Sequence, residues 1–96
     1  MITFLDVEPR ESYPPGVLVR YPLLMLSQGL SDTVRATILI SREGTVLSYY
    51  VGMAAHPEFE RSVEAGIRRM KFTPGQFDGR SVTSEVEYIF SFRCDE

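Results

Sequence analysis

The sequence predicts an α+β fold in two layers: a three-stranded antiparallel sheet with a long helix and a short N-terminal helix on one face. Three observations lead there. A two-residue alternation starting at Thr33 runs through the tight segment Ser41-Arg42-Glu43-Gly44-Thr45 into a second alternating run, as in a hairpin. Phe59, Val63, Gly66, Ile67 and Met70 then recur at helical spacing. A last and longer alternation fills residues 82–93.

Taken in order, residues 1–20 differ from the rest. Pro9, Pro14 and Pro15 fall among Glu8, Arg10, Glu11 and Ser12, which reads as a linker end or docking arm, with a short strand at Val17-Leu18-Val19. Residues 21–96 form the folded domain. Tyr21-Pro22 opens a short helix over Leu23–Gln28, because proline suits a first helical turn, and Gly29 stops it. In the first strand Val34, Ala36, Ile38 and Ile40 share one face. Leu47, Tyr49, Val51 and Met53 are expected to share a face of the second. Pro57 starts the long helix, with Glu58 and Glu60 at the positive end of its dipole. It is expected to run to Lys71, with Arg68, Arg69 and Lys71 at the negative end and Thr73-Pro74-Gly75 beyond it. Asp78-Gly79 is a turn. The last strand places Val82, Ser84, Val86, Tyr88, Phe90 and Phe92 on its inner face. Direction counting gives the spatial order second–first–last, which leaves the last strand on an edge. Such an edge carries unsatisfied backbone donors and acceptors, and proteins either blunt it or use it.

Composition removes several kinds of function. Ten Lys+Arg against thirteen Asp+Glu give a net charge of −3, which is unsuited to a phosphate backbone, so no nucleic acid is expected. One cysteine, Cys94, and one histidine, His56, exclude an internal disulfide and most metal sites. No nucleophile motif or phosphate-cradling loop is present, so neither catalysis nor a cofactor is expected. His56 reads as a loop or N-cap residue and Cys94 as a plain thiol. Glu85 and Glu87 read as a solvated pair guarding an edge strand. No apolar run is long enough for a membrane helix, and the first residues lack a signal-peptide pattern. The chain taken alone is therefore either cytoplasmic or a soluble piece of a longer protein.

Several segments carry a family likeness. Tyr21-Pro22, Gly29, the strand opening at Val34 and the turn Glu43-Gly44-Thr45-Val46 resemble the start of the TonB C-terminal domain. The block Pro57–Gly75 looks like that family's helix and its exit, with Arg68-Arg69-Met70-Lys71-Phe72-Thr73-Pro74 closing it. Gly79-Arg80-Ser81-Val82 is similar to the approach to the last strand. The likeness covers about residues 20–93. Three positions depart from the family pattern: Asp32 stands where a glycine is common, Met70 where a Trp is common, and Met53-Ala54-Ala55-His56 replaces a Ser-Ser-Gly-like segment.

The resemblance implies a periplasmic domain of a protein anchored in the inner membrane. Such a domain grips an extended peptide, the TonB box of an outer-membrane receptor, by β-strand addition. It also works with a proton-driven inner-membrane motor complex reached through an N-terminal helix that this chain lacks. The family's contacts fall by position on Arg20, Tyr21 and Pro22 and on Ser84, Glu85, Val86, Glu87 and Tyr88. The alternative is a structural or regulatory module of an envelope complex with the same fold, or a weak homodimer through the open edge.

Overall fold

The computed structural model describes residues 9–11 and 19–93. Pro14, Pro15, Cys94 and most of the strand expected at Val17–Val19 lie outside them. The elements are β1 (Arg10–Glu11), α1 (Leu23–Ser27), β2 (Asp32–Ile40), β3 (Val46–Val51), α2 (Pro57–Ile67), β4 (Phe72–Thr73), β5 (Gly75–Phe77), β6 (Arg80–Val82) and β7 (Ser84–Phe92).

The main sheet has the order β3-β2-β7 and is antiparallel throughout, as direction counting requires. Val34, Ala36, Ile38 and Ile40 of central β2 are fully buried. They meet Phe59, Val63 and Ile67 of α2, Phe90 and Phe92 of β7, and Met25 of α1. Alternation in the strands and the helical stripe thus supply the two halves of one core.

Local chemistry sets each boundary. Helix α1 starts after Pro22 and ends in a Schellman motif: Leu30 N–H donates to the Met25 carbonyl at 2.9 Å, and Gly29, at φ +67°, donates to Leu26 at 3.1 Å. The β2–β3 turn is tied by Ser41, whose Oγ accepts from the N–H groups of Glu43 and Thr45 at 3.2 and 3.1 Å. Gly44 is obligatory there. Its φ is +88°, and a Cβ would sit 2.0 Å from the Phe72 carbonyl oxygen.

Three expectations are corrected. Leu47 does not share a face with Tyr49 and Val51, because a bulge after Leu39 pairs Ile40 with Val46 and leaves Leu47 as the extra residue. Val46 packs inward instead, while Leu47 is exposed and Met53, beyond the strand, is 91% exposed. The long helix ends at Ile67, not Lys71. Arg69 and Met70 donate back only three residues, to Gly66 and Ile67, which tightens the last turn. Phe72 is then buried and donates to the Gly44 carbonyl at 2.9 Å, so the chain must already be extended. Arg68 is the C-cap, and Arg69 and Lys71 lie past the helix. Finally, the last alternation is two strands. Asp78 and Gly79, both at positive φ, close a separate β5–β6 hairpin in which Val82 pairs with Gly75. Thr83 breaks the run before β7 begins at Ser84.

Candidate functional site

Strand β7 pairs with β2 over nine consecutive positions without a register shift, from Ser84↔Ile40 to Phe92↔Asp32. No other described strand pairs with it. Its outward groups follow from β2. The Arg35 carbonyl accepts from Gly52 N–H at 2.7 Å, so Arg35, Thr37 and Leu39 turn their backbone groups toward β3. Val34, Ala36, Ile38 and Ile40 therefore turn theirs toward β7, where they meet Phe90, Tyr88, Val86 and Ser84. The backbones of Glu85, Glu87, Ile89 and Ser91 are left aimed at the open side.

The side chains divide by the same parity. Val86 and Tyr88 are half-buried against the core, and the Tyr88 ring lies 6.2 Å from Phe72 and 5.9 Å from Phe90. Ser84 is 1% exposed, and its hydroxyl has no hydrogen-bond partner among the described residues. Glu85 and Glu87 are exposed on the outer face. The open side of β7 thus presents the backbones and carboxylates of Glu85 and Glu87, while Ser84, Val86 and Tyr88 pack toward the core. The sequence reading missed Ile89 and Ser91, which complete the edge. Ile89 is 57% exposed, and the alternation that marked Glu85 and Glu87 marks it equally.

Arg20, Tyr21 and Pro22 lie elsewhere. The Tyr21 ring stands edge-on to Phe59 and Phe92, with centroids at 5.8 and 5.4 Å, and its hydroxyl donates to the Leu30 carbonyl. The Arg20 carbonyl accepts from Ser62 Oγ. Together with Leu23, Glu58, Arg61 and Ser62 these residues line an open groove of about 520 Å³. Its rim includes Leu23, 81% exposed. This patch meets the Phe92 end of β7, whereas Ser84 lies at the other end, about 27 Å away along eight residue steps. The two groups of predicted contact residues are therefore not one cluster.

No group of three or more potential metal ligands occurs among the described residues. His56 caps α2, with its ring 6.1 Å from Phe59 and its Nδ1 buried without a partner among the described residues. Two of the departures noted in the sequence touch each other: Asp32 Oδ2 accepts from Ala55 N–H at 2.7 Å. The third, Met70, is buried in the core.

Comparison with known proteins places this geometry. No curated protein matches the chain. Among solved structures it is similar to the solution NMR structure of the Pseudomonas aeruginosa TonB C-terminal domain, with a TM-score of 0.71 at 22% identity, covering 95% of this chain and 89% of that one. A likeness at that identity shows the fold. The family model for the C-terminal part of the Gram-negative bacterial TonB protein matches residues 18–94. The chain belongs to the TonB C-terminal domain family, a family of non-enzymatic periplasmic domains of energy transducers.

Proposed function

We propose that this domain captures an extended segment of an outer-membrane receptor, its TonB box, as an added strand on β7. It would pass on work from an inner-membrane, proton-driven motor complex reached through an anchoring helix upstream. The observation that carries the reading is the outer edge of β7, where the backbones of Glu85, Glu87, Ile89 and Ser91 face away from β2 along an unbroken strand. Strand addition draws much of its affinity from main-chain bonds, with alternate side chains adding specificity. The exposed carboxylates of Glu85 and Glu87 favour a peptide carrying Lys or Arg near the pairing segment. A peptide reaching from Ser84 to the Tyr21–Pro22 groove spans about 27 Å, or roughly eight to nine residues when extended.

The test is Glu87→Pro. This position presents its N–H outward, so proline deletes a donor the partner needs while leaving the bonds to β2 in place. A receptor TonB-box peptide is titrated into the wild-type domain and the variant, with amide shifts followed by NMR. Shifts are expected over residues 84–91, with affinity falling about tenfold in the variant, the scale of one lost main-chain bond. Shifts confined to β3, or equal affinity in a folded variant, would refute the site.

A further inference from the structure

Strand β4 is bonded on both sides. On one side Phe72 N–H donates to the Gly44 carbonyl at 2.9 Å and Lys71 bridges Thr45, so that side is occupied by the hairpin turn. Backbone groups alternate along a strand, and those of Thr73 therefore face the other way. There the chain's own N-terminal segment lies, antiparallel, with Arg10 opposite Thr73 and Glu11 opposite Phe72.

The sequence fixes this register. One step further, Pro9 stands opposite Pro74, at a pair whose backbone groups, like those of Phe72, face away from each other, so the two prolines cost the ladder no bond in this register. A slip that brought Pro9 opposite Thr73 would leave the Thr73 carbonyl without a donor. Pro9 is itself buried. A Cβ on Gly75 would stand 2.8 Å from Ser84 Oγ and 3.3 Å from Pro9 Cδ, so the missing side chain of Gly75 is what lets Pro9 and the first residue of β7 close together. The Ser84 hydroxyl, which has no hydrogen-bond partner among the described residues, lies in this same corner.

We propose that the outer side of Phe72–Thr73 is a second strand-accepting surface whose partner is the chain's own Pro9–Glu11 segment, a releasable clasp that also sets the Ser84 end of β7. It is releasable because only two residues pair. It reaches β7 because Pro9 and Ser84 flank the same vacant position at Gly75. The link to β7 rests on that strand being the peptide edge; the clasp does not.

The test uses the full chain with no receptor peptide, so its failure is separate from failure of strand addition at β7. Arg10→Pro removes the N–H aimed at Thr73. Hydrogen exchange of the Thr73 amide is expected to quicken at least tenfold, and the Gly75 and Ser84 amides to shift, while Ile38 keeps its protection. An unchanged Thr73 rate overturns the clasp. A faster Thr73 with unmoved Gly75 and Ser84 overturns its reach to β7. Independently, Arg10→Cys with Thr73→Cys in a Cys94→Ser background is expected to give an intramolecular disulfide on mild oxidation. A covalent dimer, or no crosslink in the folded protein, overturns the pairing.

Discussion

The two edges of the main sheet solve the same problem differently. β3 is six residues long, carries a bulge at Leu47 and runs into Gly52 and the exposed Met53. β7 is nine residues long, in unbroken register, with only Glu85 and Glu87 to discourage a stranger. A bulge twists a strand and spoils it as a template, whereas charge penalises some partners and attracts others. One edge is blunted by its shape; the other is guarded by charge alone.

Phe59→Ala removes the floor shared by both edges, since the Phe59 ring packs 4.8 Å from Phe92 beneath β7 and 5.8 Å from Tyr21. A loss of about 3–5 kcal/mol is expected, a large part of the roughly 5–15 kcal/mol a small domain holds. Both edges should melt in one transition. Separate denaturation midpoints for β3 and β7 amides would show that they do not share a core.

Gly44→Ala strikes the turn that joins β2 to the blunted edge. With φ at +88° and the Phe72 carbonyl 2.0 Å from the new methyl, a cost of about 1–3 kcal/mol is expected from strain alone. A melting temperature equal to wild type would mean the turn yields more easily than its contacts imply.

Glu85→Thr with Glu87→Thr strips the charge from the open side of β7. Like charges across a self-paired strand repel, so wild type is expected to stay monomeric at low micromolar concentration and the double variant to associate more strongly in sedimentation. If wild type already forms a tight dimer through β7, charge is not what guards that edge.

The smallest effect is expected at the blunted edge. Leu47→Glu, at an exposed bulge, should change stability by under about 0.5 kcal/mol and leave self-association unaltered. A variant that dissolved an existing dimer would show that β3 was the sticky edge after all.

The contrast between the edges was only half legible in the sequence. The parity of Val34, Ala36, Ile38 and Ile40, together with chain reversals, was enough to leave the last strand outermost. Parity also marks Glu85 and Glu87 as outward. The bulge was not legible, because it depends on how Ser41 and Gly44 close the turn, and Leu47 alternates with Tyr49 perfectly well on paper. The end of α2 was hidden for a related reason: Arg68, Arg69 and Lys71 are good helix formers, and a distant bond between Phe72 and Gly44 overrides them. The Arg10–Thr73 pairing joins two segments too short to show a period. The Tyr21 groove and the Ser84 end of β7 looked like one site because nothing local states the length of the strand between them.

The bond from Ala55 N–H to Asp32 Oδ2 has a consequence for anyone recombining sequences of this kind. Asp32 opens β2 and Ala55 lies in the loop after β3, and this bond ties the two positions together. Glu60 is tied to the loop as well, since its Oε2 accepts from Ala54 N–H at 2.9 Å. A chimera that imports a glycine at position 32 alone leaves the Ala55 amide without this acceptor, whereas one that imports the loop 53–56 alone leaves Asp32 with the Thr33 N–H, which donates to its Oδ1 at 2.7 Å. Grafts that move position 32, the loop and Glu60 together keep both loop amides bonded across the junction.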